Sequence, residues 1–212
     1  MTNKVGVFGF SGWAREIGDI ALAIGLSPVY VVRDKGEATG ADDRFDIILE
    51  ADVLNHAEMD FVIGIGDGAI RKKVYDRFKD KLTFRNLIHP HASFGHGQLD
   101  RINQSKGVVV CAGVRMTNNI EVGNFSLFNL NATVGHDCII EEFSAVSPGA
   151  CVSGNVHIEQ AVWIGTGATI NQGTPDQKLV IGAGSMIGSG AVVVKSCEPG
   201  GTYVGIPAKR IK

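Results

Sequence analysis

The order of apolar and polar positions divides the chain into two regimes. Up to about residue 88, short apolar runs rich in β-branched residues alternate with stretches whose apolar residues recur three or four apart. "KVGVFG" reads as a buried strand. "AREIGDIALAIG" places Ile17, Ile20, Ala21 and Ile24 on one helical face, closed by Gly25. "SPVYVV", "DIIL", "DFVIGIGD" and "TFRNLI" continue the strands, and "AIRKKVYDRFKD" sets Ile70, Val74, Tyr75 and Phe78 on one side of a second helix. Strand–helix alternation with short connections predicts a small parallel sheet covered by helices, a Rossmann-like βαβαβ domain over residues 1–88. The stretch "HPHASFGHGQLD" then reads as part of a linker over residues 89–106.

From residue 107 the period changes. Val110, Met116, Val122, Phe128, Val134, Ile140, Val146, Val152, Ile158, Ile164 and Ile170 form an unbroken apolar series at spacing six. With half of all positions apolar, chance gives such a run about once in two thousand trials, so the series reports architecture. Two positions before each member stands a small or apolar residue, such as Ala132, Cys138 or Ser144. The period breaks at "GTPDQK" and resumes with Ile181, Ile187 and Val193. This is a hexapeptide repeat, and its period predicts a parallel β-helix over 107–212: one flat strand and one turn per hexad, three hexads per triangular coil. The break predicts a loop projecting from one corner.

Composition narrows the function classes. The chain has 212 residues, 44% of them hydrophobic, and a formal net charge of −2. That balance gives no electrostatic footprint for nucleic acid or an anionic membrane surface. No apolar run approaches the ~18 residues of a membrane span, and "MTNKVGVFGF" does not read as a signal peptide, so a cytoplasmic location is expected. Cys111, Cys138, Cys151 and Cys197 form no CxxC pair and read as reduced thiols.

Three features carry candidate chemistry. First, residues eighteen apart stack roughly 4.8 Å apart in such a coil, which puts His136 over Gly154. An imidazole beside a bare peptide N–H suits acyl transfer: the ring takes a proton from the nucleophile and the amide binds the oxyanion. The adjacent Asp137 can fix the tautomer of the ring. The same spacing also fits an exposed His–Asp pair at a corner. His89, His91, His96 and His157 show no recognised metal-ligand spacing with His136, so no metal site is expected. Second, "GFSGWARE" follows a strand and opens a helix, aiming free N–H groups at an anion, although it falls short of G-x-G-x-x-G. Third, Asp34 ends the second strand and "GIGDGAIRKK" supplies another glycine turn with Asp67. Together these strand ends line one crevice. Each turn is equally compatible with plain turn chemistry.

Taken together, "VFGFSGWAREIGDIA", "IGIGDGAIRKKV", "VGHDCIIEEFSAVSPGACVSGNVHI" and "GIPAKRI" resemble the bacterial nucleotide-sugar N-acetyltransferases and sialic-acid O-acetyltransferases of the PglD/NeuD type, over nearly the whole chain. The resemblance implies a left-handed β-helix and a homotrimer with acetyl-CoA bound between adjacent β-helices. It implies His136 as general base, Asp137 as the acid that orients it, and the Gly154 amide polarising the thioester carbonyl. It implies a nucleotide sugar held through Gly9, Ser11, Gly12, Trp13, Asp34, Gly66 and Asp67, and acetyl-CoA contacts at Gly154, Thr166, Gly184, Pro207 and Lys209. The implied reaction is acetyl transfer to the 4-amine of a UDP-linked 4-amino-4,6-dideoxy sugar, for surface glycan or glycoprotein synthesis. O-acetylation of sialic acid or another sugar hydroxyl, and a non-enzymatic β-helix scaffold, stand as alternatives. Ala145 occupies a position where some relatives carry a histidine that touches the cofactor, and Trp13 stands where smaller residues or His are common.

Overall fold

A computed structural model describes residues 3–212 of the chain. Its N-terminal part is a five-stranded parallel sheet of order β3-β2-β1-β4-β5, with β1 Lys4–Phe8, β2 Ser27–Val32, β3 Asp46–Leu49, β4 Asp60–Ile63 and β5 Thr83–Phe84. Helix α1 (Gly12–Ala23) links β1 to β2, and α2 (Gly68–Phe78) links β4 to β5. Both helices start where the sequence supplies a cap. Ser11 Oγ accepts from Ala14 N–H at 3.4 Å, and Asp67 Oδ1 accepts from Ile70 N–H at 2.9 Å. Each side chain occupies an amide that the first helical turn leaves free. Ile17, Ile20 and Ala21 are buried against the sheet, as the apolar period of α1 predicts, with Ala14 beside them, whereas Ile24, expected on the same face, caps the helix and is 37% exposed.

The remaining strands form three sheets of eight, six and four strands, the faces of a triangular prism, parallel except where the terminal strand Lys209–Arg210 runs antiparallel to Thr202–Val204. Register follows the repeat: Leu127 pairs with Ala145, Thr133 with Cys151 and Ile139 with His157. After the 173–178 loop the offset grows, so that Trp163 pairs with Met186 and Ile158 with Ile181. The spacing-six series lines the prism interior, with Val110, Phe128, Ile158, Ile164 and Ile170 each at 0% exposure. This arrangement is that of the left-handed β-helix.

The junction between the two parts differs from the linear reading of the sequence. "TFRNLI" is not one strand: Thr83–Phe84 completes the α/β sheet, whereas Leu87–Ile88 pairs with Val109–Val110 of the β-helix. Asn86, between them, donates to the Ile102 and Ser105 carbonyls and accepts from Val108 N–H. The stretch expected as a linker over 89–106 contains strand Ser93–Phe94, paired with Arg115–Met116, and helix α3 (Gln98–Ile102). Gln98 is buried and exchanges two 2.9 Å bonds with the backbone of Ile120, so α3 closes the end of one face where no strand stands. A polar side chain that mimics a strand partner has no hydrophobic period, which is why composition alone reads as loop.

The two parts share a packed seam. Phe125 and Phe143, one rung apart, stack with ring centroids 5.3 Å apart and meet Tyr75 of α2. Both adopt positive φ, 58° and 59°, a conformation bulky residues rarely take. Their complete burial between the α/β domain and the prism offsets that strain. Beside them Arg71 is 0% exposed. Its guanidinium donates to the carbonyls of Ile65, Gly66, Phe125, Phe143 and Ser144, at 2.5–3.1 Å. Burial pushes its pKa down to about 10, so it remains charged at neutral pH, held by carbonyl dipoles with no carboxylate bonded to it.

Candidate active site

At the carboxyl ends of β1, β2 and β4 lies a cleft of about 440 Å³, lined among others by Gly9, Ser11, Arg33, Glu37, Gly66 and Ile70. Gly9 adopts φ +101°, a backbone state open to glycine, and lets the chain turn directly from β1 toward α1. The cleft sits outside the strand ends of an open α/β sheet, the common ligand position of such sheets. The two acids singled out in the sequence each have a local role through one carboxylate oxygen. Asp34 is exposed and accepts from Gly36 N–H at 2.8 Å as the cap of a short 3₁₀ turn, and Asp67 caps α2. The charged residues that do line the cleft are Arg33, Glu37 and Glu50. Arg33 bonds Glu37, and Arg77 bonds Glu50.

A second cleft, about 280 Å³, lies between α1 and the β-helix. Gly12, Trp13 and Gly66 form one side; Asn129, Ala145, Ser147, Trp163 and Thr166 lie on the other. Gly66 lines both clefts, which makes them neighbours. Gly66 packs on the Trp163 ring so closely that a β-carbon there would lie 3.3 Å from it. Arg71 bonds the Gly66 carbonyl and the Ser144 carbonyl, so one side chain ties the β4–α2 turn to the β-helix wall. Arg71 stands three, four and seven positions before Val74, Tyr75 and Phe78, so the α2 period places it on the inward face, where Ile70, expected there, is instead 45% exposed.

His136 stands on another corner of the prism. Its side chain is 47% exposed, and Nδ1 lies 2.7 Å from Asp137 Oδ2. The stacking inferred from spacing is present: a β-carbon on Gly154 would lie 2.6 Å from His136 Nε2 and 2.7 Å from Cε1. Only a glycine admits the ring in this position. Among the described residues the Gly154 N–H makes no backbone hydrogen bond, whereas the flanking Ser153 and Asn155 amides bond Ile170 and His136 carbonyls. The ring thus sits beside an unengaged donor. Asp137 has φ +58°, and its carboxylate is held below the ordinary range, first by the Asn119 amide and then by His136. Lys178, from the inserted loop, donates to the Asp137 carbonyl. Asp137 and Lys178 line a depression of about 270 Å³.

Within one chain these features remain apart. Trp163 and Thr166 belong to the eight-stranded face and the corner after it, whereas His136 follows the six-stranded face. Gly184 is a left-handed corner at φ +68°, Pro207 follows a cis peptide, and Lys209 is exposed on the terminal strand. Among the described residues no group of three or more His, Cys, Asp or Glu is placed to hold a metal ion, and no helix is long and apolar enough to cross a membrane.

Comparison with known proteins matches this architecture end to end. Residues 4–78 match the family model described as the PglD N-terminal domain. The chain is 30% identical over 224 residues to GDP-perosamine N-acetyltransferase of Escherichia coli O157:H7, covering 99% of this chain and 97% of that one. Among solved structures it resembles WeeI from Acinetobacter baumannii AYE, with a TM-score of 0.86 and 30% identity over 98% of this chain and 99% of that one. It also resembles the acetyltransferase domain of PglB from Neisseria gonorrhoeae FA1090, solved in complex with acetyl coenzyme A, with a TM-score of 0.86 and 28% identity over the full length of both. On the fold, the His-over-Gly corner and these full-length likenesses, the chain belongs to the PglD-type sugar N-acetyltransferases of the hexapeptide-repeat family.

Proposed function

We propose that this acyltransferase moves an acetyl group from acetyl-CoA to the 4-amine of a nucleotide-linked 4-amino-4,6-dideoxy sugar, with His136 as general base. The observation that carries the reading is the seating of His136 Nε2 over Gly154 while Nδ1 bonds Asp137. With Nδ1–H donated to the carboxylate, Nε2 keeps its lone pair free to accept a proton. There it accepts a proton from the sugar nitrogen as that nitrogen forms its bond to the thioester carbonyl carbon. The carbonyl oxygen takes on negative charge and is met by the Gly154 N–H, an arrangement worth about 10²–10³ in rate. The C–S bond then breaks, and the imidazolium returns the proton to the departing thiolate.

The nucleotide is assigned to the cleft lined by Gly9, Ser11 and Gly66, and the sugar to the adjoining cleft between Trp13 and Trp163. Since His136 and that cleft occupy different corners of one prism, the reading includes a homotrimer. In it, the ring of one protomer faces the interdomain cleft of the next, and acetyl-CoA lies in the groove between them. A closed cyclic assembly uses two different patches of each protomer at every interface, so a corner of one prism can complete the site of the next. Thr166 lines that cleft and is kept as an acetyl-CoA contact. Gly184, Pro207 and Lys209 are assigned to the distal part of the same groove.

The test is a product assay with UDP- and GDP-linked amino sugars, set against the corresponding hydroxy sugars and sialic acid. Amide formation in wild type, reduced at least ~100-fold in kcat by His136→Ala with little change in acetyl-CoA affinity, supports the assignment. Acetylation of hydroxyls alone, or normal turnover by His136→Ala, refutes it.

A further inference from the structure

One column of the prism carries three successive left-handed corners: Asn119 at φ 56°, Asp137 at 58° and Asn155 at 56°. Asparagine and aspartate tolerate this conformation better than other side chains, so the column has a backbone explanation. The side chains add something the backbone does not need. Asn119 Nδ2 donates to Asp137 Oδ1 at 2.5 Å, from the rung before. Asp137 Oδ2 lies 2.7 Å from His136 Nδ1. Each carboxylate oxygen therefore has its own partner, and the plane of the carboxylate is set from two rungs. The third rung supplies Gly154, over which the ring lies. The Asp137 backbone is pinned separately, since Lys178 donates to its carbonyl.

We propose that Asn119 is a positioning residue for His136, acting through Asp137. By occupying Oδ1 it leaves Oδ2 as the acceptor for Nδ1–H. That selects the tautomer whose free nitrogen is Nε2 and holds the ring against Gly154. The inference rests on His136 being the base, but the geometry can be tested without turnover. The order of influences on Asp137 agrees: the Asn119 bond is the largest cause holding its pKa down, ahead of His136 and Lys178. The groups around Asp137 are Asn119 on the preceding rung, His136 beside it, Lys178 from the inserted loop, the buried Cys138 thiol, and Glu121, which lines the same depression.

Asn119→Gly is the discriminating variant, because glycine adopts positive φ freely and removes only the amide. In the full-length protein the melting temperature is expected to stay within about 2 °C of wild type. The ¹⁵N shifts of His136 are expected to move from a single Nδ1–H tautomer toward a mixture, and the Asp137 carboxyl carbon to titrate at higher pH. With a competent amino-sugar acceptor, kcat is expected to fall about tenfold with the KM for acetyl-CoA unchanged. Asn119→Asp, which keeps the left-handed preference, sets a second carboxylate against Asp137 and is expected to raise the Asp137 midpoint further. An unchanged His136 tautomer and an unchanged Asp137 titration in both variants overturn the proposal. Failure of the general-base reading appears separately, as retained activity in His136→Ala.

Discussion

Replacing Gly154 by alanine tests the His136 seat without removing any catalytic group. The added β-carbon would lie 2.6 Å from Nε2 and 2.7 Å from Cε1, where ordinary contact begins at 3.4 Å. The ring must therefore retreat by about 0.8 Å or rotate away from its Asp137 bond. Gly154 does not adopt positive φ, so alanine meets no backbone penalty, and the N–H assigned to the oxyanion is retained. A displacement near 1 Å at a reacting atom costs about 10²-fold, or about 2.7 kcal/mol of barrier. Gly154→Ala should accordingly lower kcat about 100-fold in a continuous assay of thiol release from acetyl-CoA. Its melting temperature should stay near that of wild type, because His136 is half exposed and free to move. Turnover within threefold of wild type would show that the close approach of ring and glycine has no part in the chemistry.

Other perturbations separate the roles of the remaining residues. Asp137→Asn should reduce kcat by about 100-fold, because the amide no longer enforces the Nδ1–H tautomer, with acetyl-CoA binding preserved in calorimetry. Arg71→Met leaves five carbonyl contacts without their donor, and should cost at least ~3 kcal/mol. For a chain of this size that lowers Tm by roughly 6–12 °C in scanning calorimetry; a loss below 2 °C would contradict the seam described here. Trp163→Ala should raise the KM for the nucleotide sugar about tenfold while changing stability little, since the ring is 37% exposed and faces the cleft. Arg44→Ala, which breaks an exposed pair with Asp42, should change the unfolding free energy by less than ~0.5 kcal/mol.

Periodicity made much of this molecule readable before its coordinates. The spacing-six series predicted the prism and its inward residues, and the eighteen-residue coil placed His136 over Gly154. Both follow from a repeat that ties sequence distance directly to spatial distance. The same spacing of eighteen places Asn119 one rung before Asp137. What the sequence did not show is set by contacts with no period. Asp34 and Asp67 sit at the expected strand ends, and one oxygen of each carboxylate accepts a local N–H, a capping role the sequence reading did not assign because caps and ligand-binding acids occupy the same kind of turn. Arg71 shares a face of α2 with Val74, Tyr75 and Phe78, but a cation in that stripe has no visible partner in the sequence, and only tertiary packing supplies the five carbonyls that hold it. The cleft between Trp13 and Trp163 joins residues 150 positions apart through the docking of two parts.

The most direct measurement is a crystal structure of the protein with coenzyme A and an unacetylated nucleotide amino sugar bound together. The sugar nitrogen is expected within about 3.2 Å of His136 Nε2, and the thiol end of the pantetheine arm beside the Gly154 N–H. The nucleotide would lie in the cleft of the neighbouring protomer formed by Gly9, Ser11 and Gly66. A nitrogen held more than about 5 Å from that ring, with the thiol in a groove that Gly154 does not border, would contradict it.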